Sequence, residues 1–429
     1  MSLLRAILGR REPSPKAPRR KTAAAPSEAD DKTETRLPKV VGPADAVLYA
    51  TVIALIAFGV VMVYSASAVF ASARYDNGYF FLVRQGIFAT IALPMIVAIA
   101  RVDYHRYRRL TYPLLAGVVG LLLVTALGFG HSAGGAARWI AVGPIHIQPA
   151  EIAKVVLIFW LAQSLSKKRD KIKSFSIGFL PHVFGAGFLI LLCLKQPDFG
   201  SAVMIGALTF VLLFTAGARL GYILGAVLLA APIVYGLIAS SPYRLRRFES
   251  FLAPFENRQG AGYQVAESLL SFGSGGLDGV GIGDSRQKLF YLPEAHTDFI
   301  SAIIGEELGF IGIALLIAAF LLVFGRGLRT AVKAVDEYGA YLAVGITMFL
   351  GIQAFTNLAV ALGMLPTKGL VLPFISYGGS SLLVNSAAVG VLLNISRPRE
   401  PAVAGEAGTD GADRATTARA LSPPQGGMA

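Results

Sequence analysis

The chain has 429 residues, of which 54% are hydrophobic and 15% charged, and its mean hydropathy is +0.60. This excludes a soluble globular domain and marks a polytopic membrane protein. A formal net charge of +13 reads here as basic residues retained on the cytoplasmic side of the spans, so no nucleic-acid partner is expected.

The chain opens with residues 1–43, rich in Arg, Lys, Pro, Ala and Ser and without periodicity, which read as a disordered cytoplasmic tail. The apolar stretch from Leu3 to Leu8 is interrupted by Arg5 and is too short for a signal-peptide core. Residues 44–397 then offer ten apolar stretches of spanning length, beginning near Ala46, Phe80, Tyr112, Ile147, Phe175, Gly200, Leu220, Phe299, Tyr338 and Ser380. The expected fold is an all-α polytopic membrane domain of ten transmembrane helices. Basic clusters at Arg101, Lys167, Arg219, Arg326 to Lys333 and Arg397 to Arg399 alternate with poorly charged links at Asp76, Gly134 and Gln196. That alternation places both termini in the cytoplasm. Residues 398–429 read as a second disordered cytoplasmic tail.

The link over residues 240–298 breaks the charge alternation, since it lies outside yet carries Arg244, Arg246, Arg247, Arg258, Arg286 and Lys288. Long links escape the charge rule. Its content of Phe248, Phe251, Leu252, Phe255, Tyr263, Leu269 and Phe272 exceeds what a floppy linker retains. An ordered extracytoplasmic lid with an amphipathic helix from Ala261 to Phe272 is expected.

Ionisable groups in or beside spans are candidates for function. Glu151 and Lys154, one helical turn apart, can pair on one face, either as a structural lock or as part of a polar cavity. Asp298 ends the run Glu294, Ala295, His296, Thr297 immediately before an apolar helix. It reads either as an N-cap or as a general base. Glu306 lies about 80° around the helix from it and Glu307 faces away, so a carboxylate dyad within that helix is not expected. The glycine-rich run from Gly273 to Lys288 reads either as a phosphate cradle, aided by Arg286 and Lys288, or as a tight turn. From Leu365 to Ser381, a Pro- and Gly-broken segment carries Lys368, Ser376, Ser380 and Ser381 and reads as re-entrant backbone against a wet cavity. The single Cys193 and the scattered histidines offer neither a disulfide nor a metal-ligand spacing.

At these residues the sequence resembles the SEDS family, the shape, elongation, division and sporulation proteins that polymerise peptidoglycan. The resemblance is carried by MVYSAS at Met62, ARWI at Ala137, QPAEIAK at Gln148, KQPDFGS at Lys195, GYQ at Gly262, YLPEAHTDFI at Tyr291, GEELGFIG at Gly305 and LPTKGLVLPFISYGGSS at Leu365. PEAH and PTKGL are similar to the cell-division branch more than to the elongation branch. Glu267, Asp278 and Ser301 depart from the usual pattern.

The resemblance implies a glycosyltransferase of the bacterial cytoplasmic membrane, acting at the septum on lipid II and on undecaprenyl pyrophosphate-linked glycan. By the same resemblance Asp298 is the general base. Lys368, Arg286, Lys288 and Arg138 are nominated for the diphosphate, with Ser376 and Ser380 beside them, and Glu294, His296 and Thr297 support the loop. A divalent cation, Mg or Mn, could share the charge, although no protein metal cage is expected. A class B penicillin-binding protein and other division proteins are the expected partners. A lipid II flippase or a division scaffold are the alternatives.

Overall fold

The computed structural model describes residues 40–399 apart from positions 134, 135, 144, 257, 259, 261 and 368. The tails therefore lie largely outside the described residues. Val40 to Gly42 and Pro398 to Arg399 form a flanking unit of their own, joined by an antiparallel bridge between Val40 and Arg399.

Within the membrane unit, the spanning helices are α1 (Ala46–Tyr75), α2 (Phe80–Arg101), α3 (Tyr107–Val124), α4 (Pro149–Lys167), α5 (Leu180–Lys195), α6 (Phe199–Ala216) and α7 (Leu220–Ala239). After the long link, carrying α8 (Pro242–Leu252) and α9 (Tyr263–Gly275), come the spans α10 (Ile300–Lys333), α11 (Glu337–Ala361) and α12 (Gly379–Ser396). Ten helices are long and apolar enough to cross a membrane, as expected. Aspartates start three of them: Asp45, Asp198 and Asp336 accept from the backbone N–H of Leu48, Ser201 and Gly339. The third span begins before Tyr112, because Asp103 accepts from the His105 N–H at 2.8 Å and nucleates a 3₁₀ turn leading into α3. Hydropathy locates the apolar part of a span, not the basic turn that precedes it.

Between α3 and α4 stands a three-stranded antiparallel sheet, β1 (His131–Ala133), β2 (Ala136–Val142) and β3 (Ile145–Ile147), where the sequence reading foresaw only a link. Its register pairs Ile140 with Ile147 and Val142 with Ile145.

One end of the bundle gathers the starts of α1, α3 and α11 with the end of α12. There Asn394 bridges the Tyr104 N–H and the Ala100 carbonyl, and Arg326 pairs with Asp45 at 2.6 Å. The opposite end holds the sheet, the long link and the segment between α11 and α12. α4, α11 and α12 form the centre and are mostly buried, whereas α7 lies almost wholly on the outer surface. That ordering explains why Glu151, Lys154, Gln353, Asn357 and Asn385 sit on central helices, since only protein-facing surfaces tolerate them.

The long link is anchored by a break in α10. At Gly309 the backbone turns to φ 62°, leaving helix carbonyls and amides unpaired at membrane depth. The glycine-rich run supplies their partners. Val280 and Gly281 donate to the carbonyls of Glu306 and Glu307 at 2.9 and 3.0 Å, and Phe310 and Ile311 donate to those of Gly276 and Leu277 at 2.9 and 3.2 Å. A Cβ at Gly309 would lie closer than 3.0 Å to Gly279 N and to the Leu277 carbonyl. Gly309→Ala is therefore expected to lower the unfolding temperature of the purified protein, at a cost of about 1–3 kcal/mol. Gly273→Ala, in open space on α9, is expected to leave it unchanged or raise it by thermal unfolding in detergent.

Candidate active site

Asp298 stands just ahead of α10. The cap position belongs to Phe299, which makes no side-chain cap bond. Among the described residues the Asp298 carboxylate makes no hydrogen bond or ion pair, so the capping alternative fails. Its backbone, by contrast, is fixed. Asn357 Nδ2 on α11 donates to the Asp298 carbonyl at 2.9 Å and to the Leu370 carbonyl at 2.8 Å. Ser301 donates to Asn357 Oδ1 at 3.2 Å, which sets the orientation of the amide. The departure at Ser301 thus has a structural use, as does Glu267, which pairs with Arg258 at 2.8 Å.

The re-entrant segment forms the facing wall. Ser376 donates from its hydroxyl to the Thr297 carbonyl at 2.6 Å and accepts from the Leu372 N–H at 2.9 Å, while the Tyr377 N–H donates to the His296 carbonyl at 2.9 Å. Ser376 is thereby a clamp between the two walls rather than a free ligand group. A Cβ at Gly369 would lie 3.1 Å from Asp298 Oδ2, so only the missing side chain lets this wall approach the carboxylate so closely. Lys368 lies outside the described residues. Ser380 is buried and its hydroxyl has no partner among the described residues, while Ser381 accepts from Asn385 Nδ2 at 3.3 Å.

Glu294, His296 and Thr297 lie in the loop that leads to Asp298. Glu294 adopts φ 55° and is exposed, and Thr297 donates to its carbonyl at 3.1 Å and its carboxylate at 3.2 Å. His296 is buried among Phe70, Phe81 and Tyr377, with ring centroids 5.7, 4.6 and 5.8 Å away. Burial lowers its pKa against the opposing pull of Glu294, so the imidazole is a neutral packing element near pH 7.

Burial, reinforced by the Glu294 charge, pushes the Asp298 carboxyl up to about 7, while Arg247 and Arg138 act to lower it. Arg138, on β2, donates to the carbonyls of Gln196, at 3.2 Å, and of Pro197. Arg247, on α8, borders a cavity of about 520 Å³ together with Arg246, Tyr263, Gln264 and Pro293. Sequence reading placed Arg247 in the lid without a role, because nothing local ties it to Asp298. Arg286 is exposed, and its side chain makes no hydrogen bond or ion pair among the described residues.

Lys288 departs from its expected task. It is turned inward onto Glu307 at 3.2 Å and onto the Gly283 carbonyl. Glu307 also accepts the Ser65 hydroxyl at 2.6 and 2.7 Å. Glu306 accepts the Ser285 hydroxyl and the Arg286 N–H, the latter at 3.1 Å. The two buried acids of α10 therefore hold the glycine-rich run as a turn, and its amides face the helix instead of a phosphate. Glu151 and Lys154 pair at 2.6 Å, wholly buried, with Gln353 donating to the second carboxylate oxygen at 3.2 Å. Among the described residues no three His, Cys, Asp or Glu side chains come together to hold a metal ion.

A family model described as cell cycle protein, covering FtsW, RodA and SpoVE, matches residues 45–400. A probable peptidoglycan glycosyltransferase FtsW of Geobacter metallireducens is 48% identical over 353 residues, 82% of this chain and 94% of the relative. Stage V sporulation protein E of Bacillus subtilis is 44% identical over 358 residues, 82% of this chain and 97% of the relative. Among solved structures, a chain from a peptidoglycan synthase complex coordinating polymerization and crosslinking aligns with a TM-score of 0.69 at 27% identity, covering 82% of this chain and 98% of that one. The rod shape determining protein RodA of Thermus thermophilus aligns with a TM-score of 0.62 at 27% identity, covering 83% of this chain and 98% of that one.

The charges around Asp298 make its titration testable without turnover. Carboxyl infrared difference spectra are expected to show Asp298, identified by its loss in Asp298→Asn, titrating near pH 7. Arg138→Gln should move that titration upward, and Glu294→Gln downward.

Proposed function

The chain belongs to the FtsW, RodA and SpoVE family of cell cycle proteins, and we propose that it is a peptidoglycan glycosyltransferase that polymerises lipid II into glycan strands for the division septum. The observation that carries the catalytic assignment is a partly buried carboxylate with a fixed backbone and no side-chain partner among the described residues, whose pKa the charges of Arg247 and Arg138 act to lower. An unspent carboxylate titrating close to the working pH is what general-base catalysis requires.

In the proposed reaction, the Asp298 carboxylate accepts the proton of the GlcNAc 4-hydroxyl on one lipid-linked disaccharide. The freed oxygen attacks the anomeric carbon of MurNAc at the reducing end of the growing strand, the C1–O bond to the diphosphate breaks with inversion, and undecaprenyl pyrophosphate leaves. Arg138 and Arg247 supply positive charge where the diphosphate develops it, and Arg286 remains available from the lid. Lys288 is committed to Glu307 and is left out of that set. Lys368 is retained from the family resemblance.

The Glu151–Lys154–Gln353 unit is read as a lock between α4 and α11. Both charges are compensated within it, as buried pairs require, and removing one partner would leave the other stranded. The strand product needs crosslinking, and a single-span class B penicillin-binding transpeptidase together with other division proteins is the proposed partnership. The likeness to a chain of a synthase complex that couples polymerization to crosslinking supports it. Insertion in the cytoplasmic membrane with both termini inside, and with the Asp298 face outside, follows from the basic residues at the other end.

Asp298→Asn is expected to reduce strand polymerisation from purified lipid II by about 10²–10⁴-fold while the protein remains folded. The base works only when ionised, so wild-type kcat/KM should rise about tenfold per pH unit up to a break set by the free-enzyme pKa and level off above it. With Asp298 titrating at about 7, that break is expected near neutrality. Wild-type activity in Asp298→Asn, measured by gel analysis of glycan strands, would overturn the assignment.

A further inference from the structure

At the end of the bundle away from Asp298, a cavity of about 330 Å³ opens between α3, α4 and α11, lined by Arg108, Gln163, Lys167, Arg169, Glu337 and Tyr338. The twenty residues of α11 between Glu337 and Asn357 separate it from the active site by about 30 Å. We propose that this cavity binds a phosphate group, carried either by an anionic phospholipid headgroup or by a soluble phosphate.

Three cations face one carboxylate on its wall. The Arg108 guanidinium is held in place, with its carbon 4.6 Å from the Tyr338 ring centroid and Nη2 donating to Asp336 at 2.7 Å. Its Nε is nevertheless buried without a partner. An unpaired buried donor costs about 1–3 kcal/mol, so the guanidinium that lines this cavity carries an unspent donor. Gln163 is 5% exposed, lines the same space, and has an unpartnered Oε1. The same amide carries two N–H donors of the kind an anion accepts from.

The start of α11 lies at this cavity, and the positive end of its dipole favours negative charge there. The dipole of α4, whose last turn carries Lys167, would account for that lysine alone. It does not account for the buried guanidinium nitrogen or the amide. Arg169 pairs with Glu337 at 2.9 Å, but both are partly exposed, at 63% and 35%, so the pair is weak enough to exchange Glu337 for a phosphate. This face also carries the basic residues that mark the cytoplasmic side, where anionic headgroups concentrate.

The test uses the purified full chain and two probes, phosphatidylglycerol and inorganic phosphate, with phosphatidylcholine as the neutral comparison. Bound lipid is read by native mass spectrometry, and phosphate by its effect on thermal unfolding. Phosphatidylglycerol is expected to be retained in preference to phosphatidylcholine, and about tenfold more weakly in Lys167→Gln and Gln163→Leu. Lys333→Gln, an exposed cation at the same end and outside the cavity, should bind as wild type does. Arg108→Gln strands Asp336 and risks the fold, so the decision rests on the other variants. Retention of phosphatidylglycerol alone identifies the lipid as the source. Stabilisation by inorganic phosphate that Lys167→Gln abolishes identifies a soluble source, and either result upholds the site. Binding of neither anion, or equal weakening by Lys167→Gln and Lys333→Gln, overturns it.

Discussion

A single side-chain amide governs the geometry of the candidate active site. Asn357 donates to the carbonyls of Asp298 and Leu370, so one residue of a central helix ties the segment that carries the carboxylate to the re-entrant wall that faces it. Both carbonyls belong to non-helical backbone, which has no internal partners and survives at membrane depth only when protein supplies them. Ser376 repeats the device from the opposite wall by bonding the Thr297 carbonyl. Because the backbone is fixed on both sides, the Asp298 side chain can remain uncommitted. The cost of holding it is met by main-chain bonds that the reaction does not consume.

The same economy explains the acids of α10. An unbroken helix would satisfy its own backbone and leave Glu306 and Glu307 as buried charges with nothing to do. The break at Gly309 exposes carbonyls and amides, and the glycine-rich run pairs with them while its Ser285 hydroxyl and Arg286 amide satisfy Glu306. Lys288 and Ser65 satisfy Glu307. The glycine-rich part of the lid is thus seated on the bundle through charges that would otherwise be intolerable, and α9, which it follows, packs against α10.

Much of this was legible in the chain, and the residues that were not share a reason. The spans, the pairing of Glu151 with Lys154 and the amphipathic helix at Tyr263 depend on periodicity and near-neighbour spacing, which a sequence carries directly. The central place of α4 was also foreshadowed, since the helix with the lowest mean hydropathy is the one withdrawn from lipid. The misplaced expectations concern partners distant in sequence. Lys288 looked like a phosphate ligand because its neighbours are glycines and a second cation, and Glu307 reaches it only through the fold. Arg247 had no local signature at all. The capping alternative for Asp298 failed by one residue, a shift set by the Asn357 clamp rather than by helix propensity. The short sheet before α4 was missed because its strands are too brief for alternation to stand out.

The raised pKa of Asp298 gives the neighbouring arginines a double part in the proposed reaction. In the free protein they draw the carboxylate toward ionisation against burial and the Glu294 charge. A diphosphate bound between them would neutralise that pull, so the carboxylate would become more basic as substrate arrives. A stronger base takes the hydroxyl proton more readily, yet it is also more often protonated at a given pH. The balance favours catalysis only if the arginines keep enough charge to spare after binding, which requires more than one of them. Arg138 and Arg247 come from different elements, β2 and the lid helix α8, so that condition rests on two separate parts of the fold.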